Sequence, residues 1–267
     1  MKRSWFAAPY AVWSVMFTIV PLVFVCYYAF TTKSGAFTVD NFTKIVQYTP
    51  VLMDSLRLAF YCTVLCLLIG YPTAYFMASK DMSRGASLSV LILLPMWMNF
   101  LLRTYAWLTI LENKGLLNTF LKAVHLPTLS IINTPAAVAV GMIYNYLPFM
   151  ILPIYTTLTR MDYSLIEAAQ DMGCSSRQIF TKVVFPLSIP GTLSGIIMVF
   201  VPAVSTFVIS KILGGGANML VGDLIDMQFL GGTYNANMGA AISLVMMVII
   251  MVFTWLTGKI DSDDGEG

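Results

Sequence analysis

Residues 160–191 read Arg160-Met-Asp-Tyr-Ser-Leu-Ile-Glu167-Ala-Ala-Gln-Asp-Met-Gly173-Cys-Ser175-Ser-Arg-Gln-Ile-Phe-Thr-Lys-Val-Val-Phe-Pro186-Leu-Ser-Ile-Pro-Gly191. On either side run stretches without a charge, Ala123–Thr159 and Val183–Ser210. The polar segment between them is far longer than a link between two spans requires. Its spacing predicts two short helices. Ser164 with Glu167 has the form of a capping box, after which Leu165, Ala168, Ala169 and Met172 recur at helical spacing. Gly173 supplies the left-handed residue that closes a helix. Ser175 with Gln178 repeats the box, Ile179, Phe180, Val183 and Val184 form a second apolar stripe, and Pro186 is expected to stop it. On the residues alone, such a helix-turn-helix reads as an amphipathic element lying on the bilayer surface.

The rest of the chain fixes the class. It is 58% hydrophobic and only 10% charged, with a net charge of +2 and a mean hydropathy of +0.80. Six charge-free windows approach or exceed the ~20 residues that cross a bilayer: Ser4–Thr32, Leu58–Ser79, Gly85–Leu102, Ala123–Thr159, Val183–Ser210 and Met227–Gly258. The composition predicts an all-α polytopic membrane protein in which residues 1–267 form a single transmembrane domain. The apolar run after Lys2 and Arg3 is too long for a signal peptide and lacks a cleavage site, so it reads as the first span.

Spans are expected at Trp5–Phe30, Leu56–Ala78 (with Gly70-Tyr71-Pro72 inside), from Leu88 past Pro95, Asn99 and Arg103, at Pro135–Thr159, from Pro190 to Leu213, and at Asn237–Thr257. Between them the sequence predicts a short outer helix near Val39–Thr43, a tight turn at Lys80–Arg84, a long outer segment over Arg103–Thr134 with a turn at Asn113-Lys114-Gly115, and a disordered acidic tail at Asp261–Gly267. With both termini inside, the inner face holds Lys2, Arg3, Lys80, Arg84, Arg160, Arg177, Lys182 and Lys259, against Lys33, Lys44, Lys114, Lys122 and Lys211 outside. That positive-inside bias puts the Glu167 loop in the cytoplasm.

Several functions are excluded. No Lys/Arg cluster offers a nucleic-acid surface. Gly214-Gly215-Gly216 is not followed by Lys-Ser/Thr and is a loop hinge rather than a phosphate-binding loop. His125, the only histidine, stands in an outer loop away from any nucleophile. No Asp or Glu lies at the centre of a window, which argues against a proton- or sodium-coupled carrier, and no His/Asp/Glu cluster suits a membrane enzyme. Cys26, Cys62, Cys66 and Cys174 form no disulfide framework and no metal site is expected; Cys62 and Cys66 read as small packing residues.

Arg57 and Arg103 have two readings. Each can snorkel from a span end to the headgroups, or Arg103 can stand with Asn99 and Tyr105 on a translocation path. Trp97, Tyr105, Trp107, Tyr144 and Tyr146 are either packing and interfacial residues or π faces for an ammonium group. Asp223 and Asp226 are expected on the outer side, able to meet a cationic substrate or a basic rim on a binding protein.

Glu167-Ala168-Ala169, three residues, Gly173, nine residues, and Val183-x-Phe185-Pro186 resemble the EAA loop of ABC importer membrane subunits. Gly70-Tyr71-Pro72, Leu94-Pro95-x-Trp97, Arg103-Thr104-Tyr105-Ala106-Trp107, Gly115-x-Leu117-Asn118, Tyr146-Leu147-Pro148-Phe149-Met150, Pro153-Ile154-Tyr155 and Leu213-Gly214-Gly215 are similar to the polyamine branch of that family, permeases for spermidine and putrescine. Gln170 is a departure, at a position where similar permeases often carry a basic or other residue. The resemblance implies a type I ABC importer permease of six spans in the bacterial cytoplasmic membrane. It implies a coupling loop at about 160–190 in which Glu167, Ala168, Ala169, Asp171, Gly173 and Pro186 dock an ATPase. The implied partners are a second, homologous permease, two ATP-binding subunits and an extracytoplasmic polyamine-binding protein. ATP and Mg would then sit on the ATPase, with no cofactor on this chain.

Overall fold

The computed structural model describes residues 8–79, 82–216, 218–231 and 234–263, and the described residues are helical nearly throughout. The first span is assembled from α1 (Ala8–Ser14), a π turn over Val15–Ile19 and α2 (Val20–Ala29). The residues from Trp5 to Ala7 assigned to it, with Lys2 and Arg3, lie outside the described set, as do Lys80 of the inner turn and the last four residues of the tail. After a short connection, α3 (Asp40–Ile45) runs through a 3-10 turn into α4 (Thr49–Ala78). Next come α5 (Met82–Leu93), α6 (Phe100–Leu111), α7 (Leu116–Ala123) and α8 (Pro135–Arg160). The charged loop contains α9 (Tyr163–Asp171), α10 (Ser176–Ile179) and α11 (Phe185–Leu187). The chain closes with α12 (Ile189–Ser205), α13 (Val208–Leu213), α14 (Val221–Leu230) and α15 (Ala236–Asp263).

Among the described residues, four helical segments are long and apolar enough to cross a membrane unaided, and two bent pairs, each counted as one span, raise the number to six. The third and fifth of these spans are broken. In the third span, Pro95 opens a 3-10 turn and Met98 is extended, so Ser87–Trp97 and Phe100–Ala123 meet at 89°. In the fifth, Thr206 and Phe207 leave the helix, and α13 restarts as a separate piece. The segment after Arg103 is itself largely α6 and α7. The C-terminal helix continues to Asp263, so the first residues of the expected tail are helical.

The core is α8, sandwiched between α4 and α12. On α4 the buried residues Leu52, Ser55, Ala59, Cys62, Cys66, Gly70, Ala74 and Met77 recur every three or four positions, a stripe of mostly small side chains. Such stripes bring helices close enough for dispersion to hold them where lipid gives no hydrophobic drive for helices to associate. A Cβ on Gly70 would lie 2.9 Å from Cγ of Met150, and one on Gly195 of α12 would lie 2.9 Å from its Sδ. Met150 is thus a fully buried wedge seated between glycines of two helices.

Chain ends of helices are tied by side chains, as burial demands. Asn237 Nδ2 donates to the carbonyls of Thr31 (2.8 Å) and Tyr28 (3.0 Å), and Asn41 Nδ2 to those of Ala29 (2.9 Å) and Thr31 (3.0 Å). His125, at φ 58°, ends α7 in a left-handed conformation, exposed as expected. Cys62 and Cys66 are fully buried free thiols on the packing face of α4.

Candidate functional site

The loop after α8 begins with Met161 in an extended conformation. Asp162 then caps α9: its carboxylate accepts the Ser164 N–H at 3.0 Å. That hydrogen bond, with the Ser164 hydroxyl, holds the exposed Asp162 carboxyl below the usual range. The cap therefore lies two residues before the expected Ser164–Glu167 box. An aspartate in that place offers both a hydrogen-bond acceptor and a negative charge to the helix N-terminus, and Ser164 and Glu167 are left inside the helix with Glu167 exposed.

The other end follows the sequence closely. Gly173 has φ +76°. Its N–H reaches the Gln170 carbonyl at 2.8 Å, and the Cys174 N–H reaches the Ala169 carbonyl at 3.1 Å, the bond pair of a Schellman ending. Ser175 and Gln178 make the reciprocal capping box, with Ser175 N to Gln178 Oε1 at 2.8 Å and Gln178 N to Ser175 Oγ at 3.4 Å. Pro186 does not stop the second helix. A π turn over Phe180–Val184 precedes it, and the wider turn accommodates a proline ring that an α-helix would drive into the carbonyl four residues back.

A small core of its own holds the loop together: Ala169, Ile179 and Val184 are buried against Leu158, Ile166 and Phe180. The expected stripe on α9 divides accordingly. Ala169, with Ile166, faces inward, while Leu165 (46% exposed) and Met172 (77% exposed) lie on the adjoining face with the exposed Ala168. Glu167 and Asp171 border that apolar strip on its far edge. A cavity of about 310 Å³ lies between the loop and the C-terminal end of α4 at Tyr75, Ala78 and Ser79.

The residues expected along a path do not gather into one constellation. Asn99 caps α6, accepting the N–H groups of Leu101 (2.8 Å) and Leu102 (3.4 Å), so it holds the elbow between α5 and α6. Arg103 does not snorkel. It is 9% exposed, its guanidinium lies 6.0 Å from the Phe100 ring centroid, and its Nε has no hydrogen-bond partner among the described residues. Arg57, by contrast, is exposed and 3.6 Å from Asp54. Trp107 and Tyr144 meet edge to face at 5.3 Å, joining α6 to α8. Tyr146 is buried, and its O–H donates to the Pro202 carbonyl at 3.4 Å, one of the acceptors left free where α12 ends. Trp97 and Tyr105 are exposed.

Asp223 and Asp226 differ in environment. Asp226 forms an ion pair with Lys211. Asp223 is buried, accepts the Leu220 N–H at 2.9 Å through one oxygen, and leaves the other without a partner among the described residues. Burial pushes the Asp223 carboxyl above its usual range, opposed by Ser210, the Leu220 N–H and the Lys211 charge. Sequence reasoning missed the packing of α14 against α4, where the Val221 N–H donates to Ser55 Oγ at 2.7 Å, and against the end of α12, where Gly222 approaches the Thr206 carbonyl. Gly222, directly before Asp223, is the signal that pointed to such a close approach.

Comparison with known proteins agrees with this arrangement. The family described as "Binding-protein-dependent transport system inner membrane component" matches residues 38–263. The chain is 34% identical over 262 residues to the spermidine/putrescine transport system permease protein PotB of Escherichia coli (strain K12), covering 93% of this chain and 94% of that protein. To PotB of Haemophilus influenzae it is 35% identical over 255 residues, covering 91% and 89%. Among solved structures, a bacterial ABC transporter involved in the import of the acidic polysaccharide alginate superposes with a TM-score of 0.83 at 15% identity, over 98% of this chain and 96% of that one. The MetNI methionine ABC transporter in an inward-facing conformation gives 0.61 at 17% identity, over 81% and 95%. These likenesses concern the fold.

Proposed function

Because the chain belongs to the family of binding-protein-dependent transport system inner membrane components, we propose that it is the membrane-spanning subunit of a polyamine ABC importer. The reading rests on the loop at 160–190. An apolar strip of Leu165, Ala168 and Met172, edged by Glu167 and Asp171, stands exposed on a rigidly capped helix. Exposed apolar strips of this kind, bordered by charge, mark contact surfaces. The proposed occupant is an ATP-binding subunit, with Glu167, Ala168, Asp171 and Gly173 on the contact helix, and with Ala169 and Pro186 setting its position. This subunit has no ATPase site of its own; ATP and Mg belong to two partner subunits, and a homologous permease completes the pore. An extracytoplasmic binding protein delivers the substrate.

The polyamine assignment is supported by the identity to the PotB proteins. For the path we propose the faces that carry Tyr105, Trp107 and Tyr144, with Asp226 at the outer entrance; Asn99, Arg103, Tyr146 and Asp223 serve as supports for these faces. Several weak aromatic contacts, each worth about 0.5–2 kcal/mol to an ammonium group, suit a route that must release its cargo. Uptake of labelled spermidine or putrescine by the complex in proteoliposomes, with its binding protein, is the deciding measurement. Transport is expected with competition from other polyamines; ATP hydrolysis stimulated by a sugar or an anion and by neither polyamine removes the substrate assignment.

Orientation is part of the same proposal, with the domain of residues 1–267 holding both termini and the loop in the cytoplasm. Cys174 is half-buried in the loop. An impermeant maleimide is expected to label it in inside-out vesicles stripped of the ATPase and not in intact cells; labelling of intact cells would reverse the topology.

A further inference from the structure

Ser188 lies at the joint between the loop and the fifth span. The helical pieces Ser176–Leu187 and Ile189–Ser205 meet at 59° on either side of it. It is fully buried, and its groups are all engaged. Its N–H reaches the carbonyls of Val184 (3.0 Å) and Phe185 (3.1 Å), and its own carbonyl accepts the N–H and the hydroxyl of Thr192, both at 3.0 Å. Its hydroxyl donates to the Phe185 carbonyl at 2.8 Å. The one hydroxyl hydrogen is thereby used, so in the 2.8 Å contact between Ser188 Oγ and Tyr71 Oη the tyrosine is the donor.

Tyr71 belongs to α4, on the far side of the molecule in sequence. Around its hydroxyl the contact between α4 and the loop is made of rings: Tyr71 against Phe180 at 6.0 Å and Phe185 at 6.0 Å, and Tyr75 against Phe180 at 5.4 Å. Such pairs are favourable over a range of tilted and edge-to-face geometries, whereas a hydrogen bond is directional. The neighbouring residue, Gly70, is about 100° round the helix and seats the Met150 wedge of α8. One turn of α4 therefore touches the joint with one residue and the central helix with the next.

From this geometry, and resting on the importer reading above, we infer that Tyr71 is a positioning residue whose hydrogen bond to Ser188 latches α4 to the joint. Displacement of the loop then moves α4 and α12 together. Without the latch, the loop can shift against α4 while the ring contacts between them give way, and the pull on α4 is weakened.

The test uses the assembled complex with its ATP-binding subunits. Tyr71→Phe keeps the ring and removes only the donor. Basal ATP hydrolysis and yield of complex are expected to match wild type, while stimulation by loaded binding protein falls about five-fold, the population shift that one neutral buried hydrogen bond supports. Ser188→Ala is expected to do the same, and the double variant to be no worse than the more affected single one. Amide exchange supplies a readout independent of substrate: ATP trapping is expected to alter exchange of residues 68–76 and 186–195 together in wild type, and only the latter in Tyr71→Phe. Concerted changes that persist in the variant, or a loss of basal and stimulated activity in equal proportion with reduced yield, would overturn the latch. A wild-type complex unresponsive to polyamine-loaded protein counts against the polyamine reading alone, because the exchange measurement needs only ATP.

Discussion

Gly173→Val is expected to leave the subunit inserted and to abolish substrate-stimulated ATP hydrolysis by the complex. Gly173 adopts φ +76°, and a Cβ built there meets no atom within 4 Å. Space is therefore not the issue; the penalty lies in the backbone. An L-residue in the left-handed region costs about 1–2 kcal/mol, and a β-branched one more because its side chain crowds the adjoining carbonyl. The cheapest relief is to abandon the bond pair from Gly173 to Gln170 and from Cys174 to Ala169, which releases α9 from α10 and turns the Leu165–Met172 strip away. Asparagine tolerates this conformation, so Gly173→Asn is expected to keep most of the coupling and Gly173→Ala an intermediate share. ATP hydrolysis and uptake, measured on complexes of equal yield, order the series. A valine variant with wild-type rates would show that the loop does not carry the coupling.

The same loop shows why some features could be read from the sequence and others could not. Gly173 and the Ser175–Gln178 box are local devices, determined by residues at most five apart, and they form as expected. The Ser164–Glu167 box has an equally good local signature but lost to Asp162, which reaches the first turn earlier and brings a charge. Pro186 lies in a helix because the π turn before it removes the clash, a solution that composition does not announce. Six windows could be counted because hydrocarbon demands length and apolarity. The breaks at Met98 and Thr206 could not be placed, since runs apolar on every side carry no periodic signal. Asn99 did carry one: an asparagine directly before an apolar helix is a cap before it is a pore residue. The burial of Arg103 and Asp223 depends on α13 and α14 folding back over the bundle, contacts distant in sequence.

Gly191 and Gly195, one turn apart at the start of α12, also had a legible signal, a small-xxx-small pair at a helix crossing. The two glycines face α8, and the crossing is closest at Gly191. A Cβ there would lie 2.3 Å from Thr157 Oγ1, 2.7 Å from Thr157 Cβ and 2.8 Å from the Pro153 carbonyl oxygen. A side chain could swing away; the backbone of α8 cannot, because its other face is held by α4 through Gly70 and Met150. Gly191→Leu is therefore expected to prevent stable packing of α12 on α8, a loss of several kcal/mol characteristic of overpacking against backbone. Gly195→Ala should be milder, since its nearest contact is the flexible Met150 Sδ at 2.9 Å, with the Met150 carbonyl at 3.2 Å. Thr157→Ala removes one of the three clashes at Gly191 and leaves the carbonyl in place, so it is expected to rescue Gly191→Ala only in part. Yield of folded subunit after detergent extraction, with thermal aggregation of the purified complex, ranks the variants as wild type, Gly195→Ala, Gly191→Ala, Gly191→Leu. Equal stability of Gly191→Leu and wild type would mean that α8 and α12 do not cross at this glycine in the working subunit.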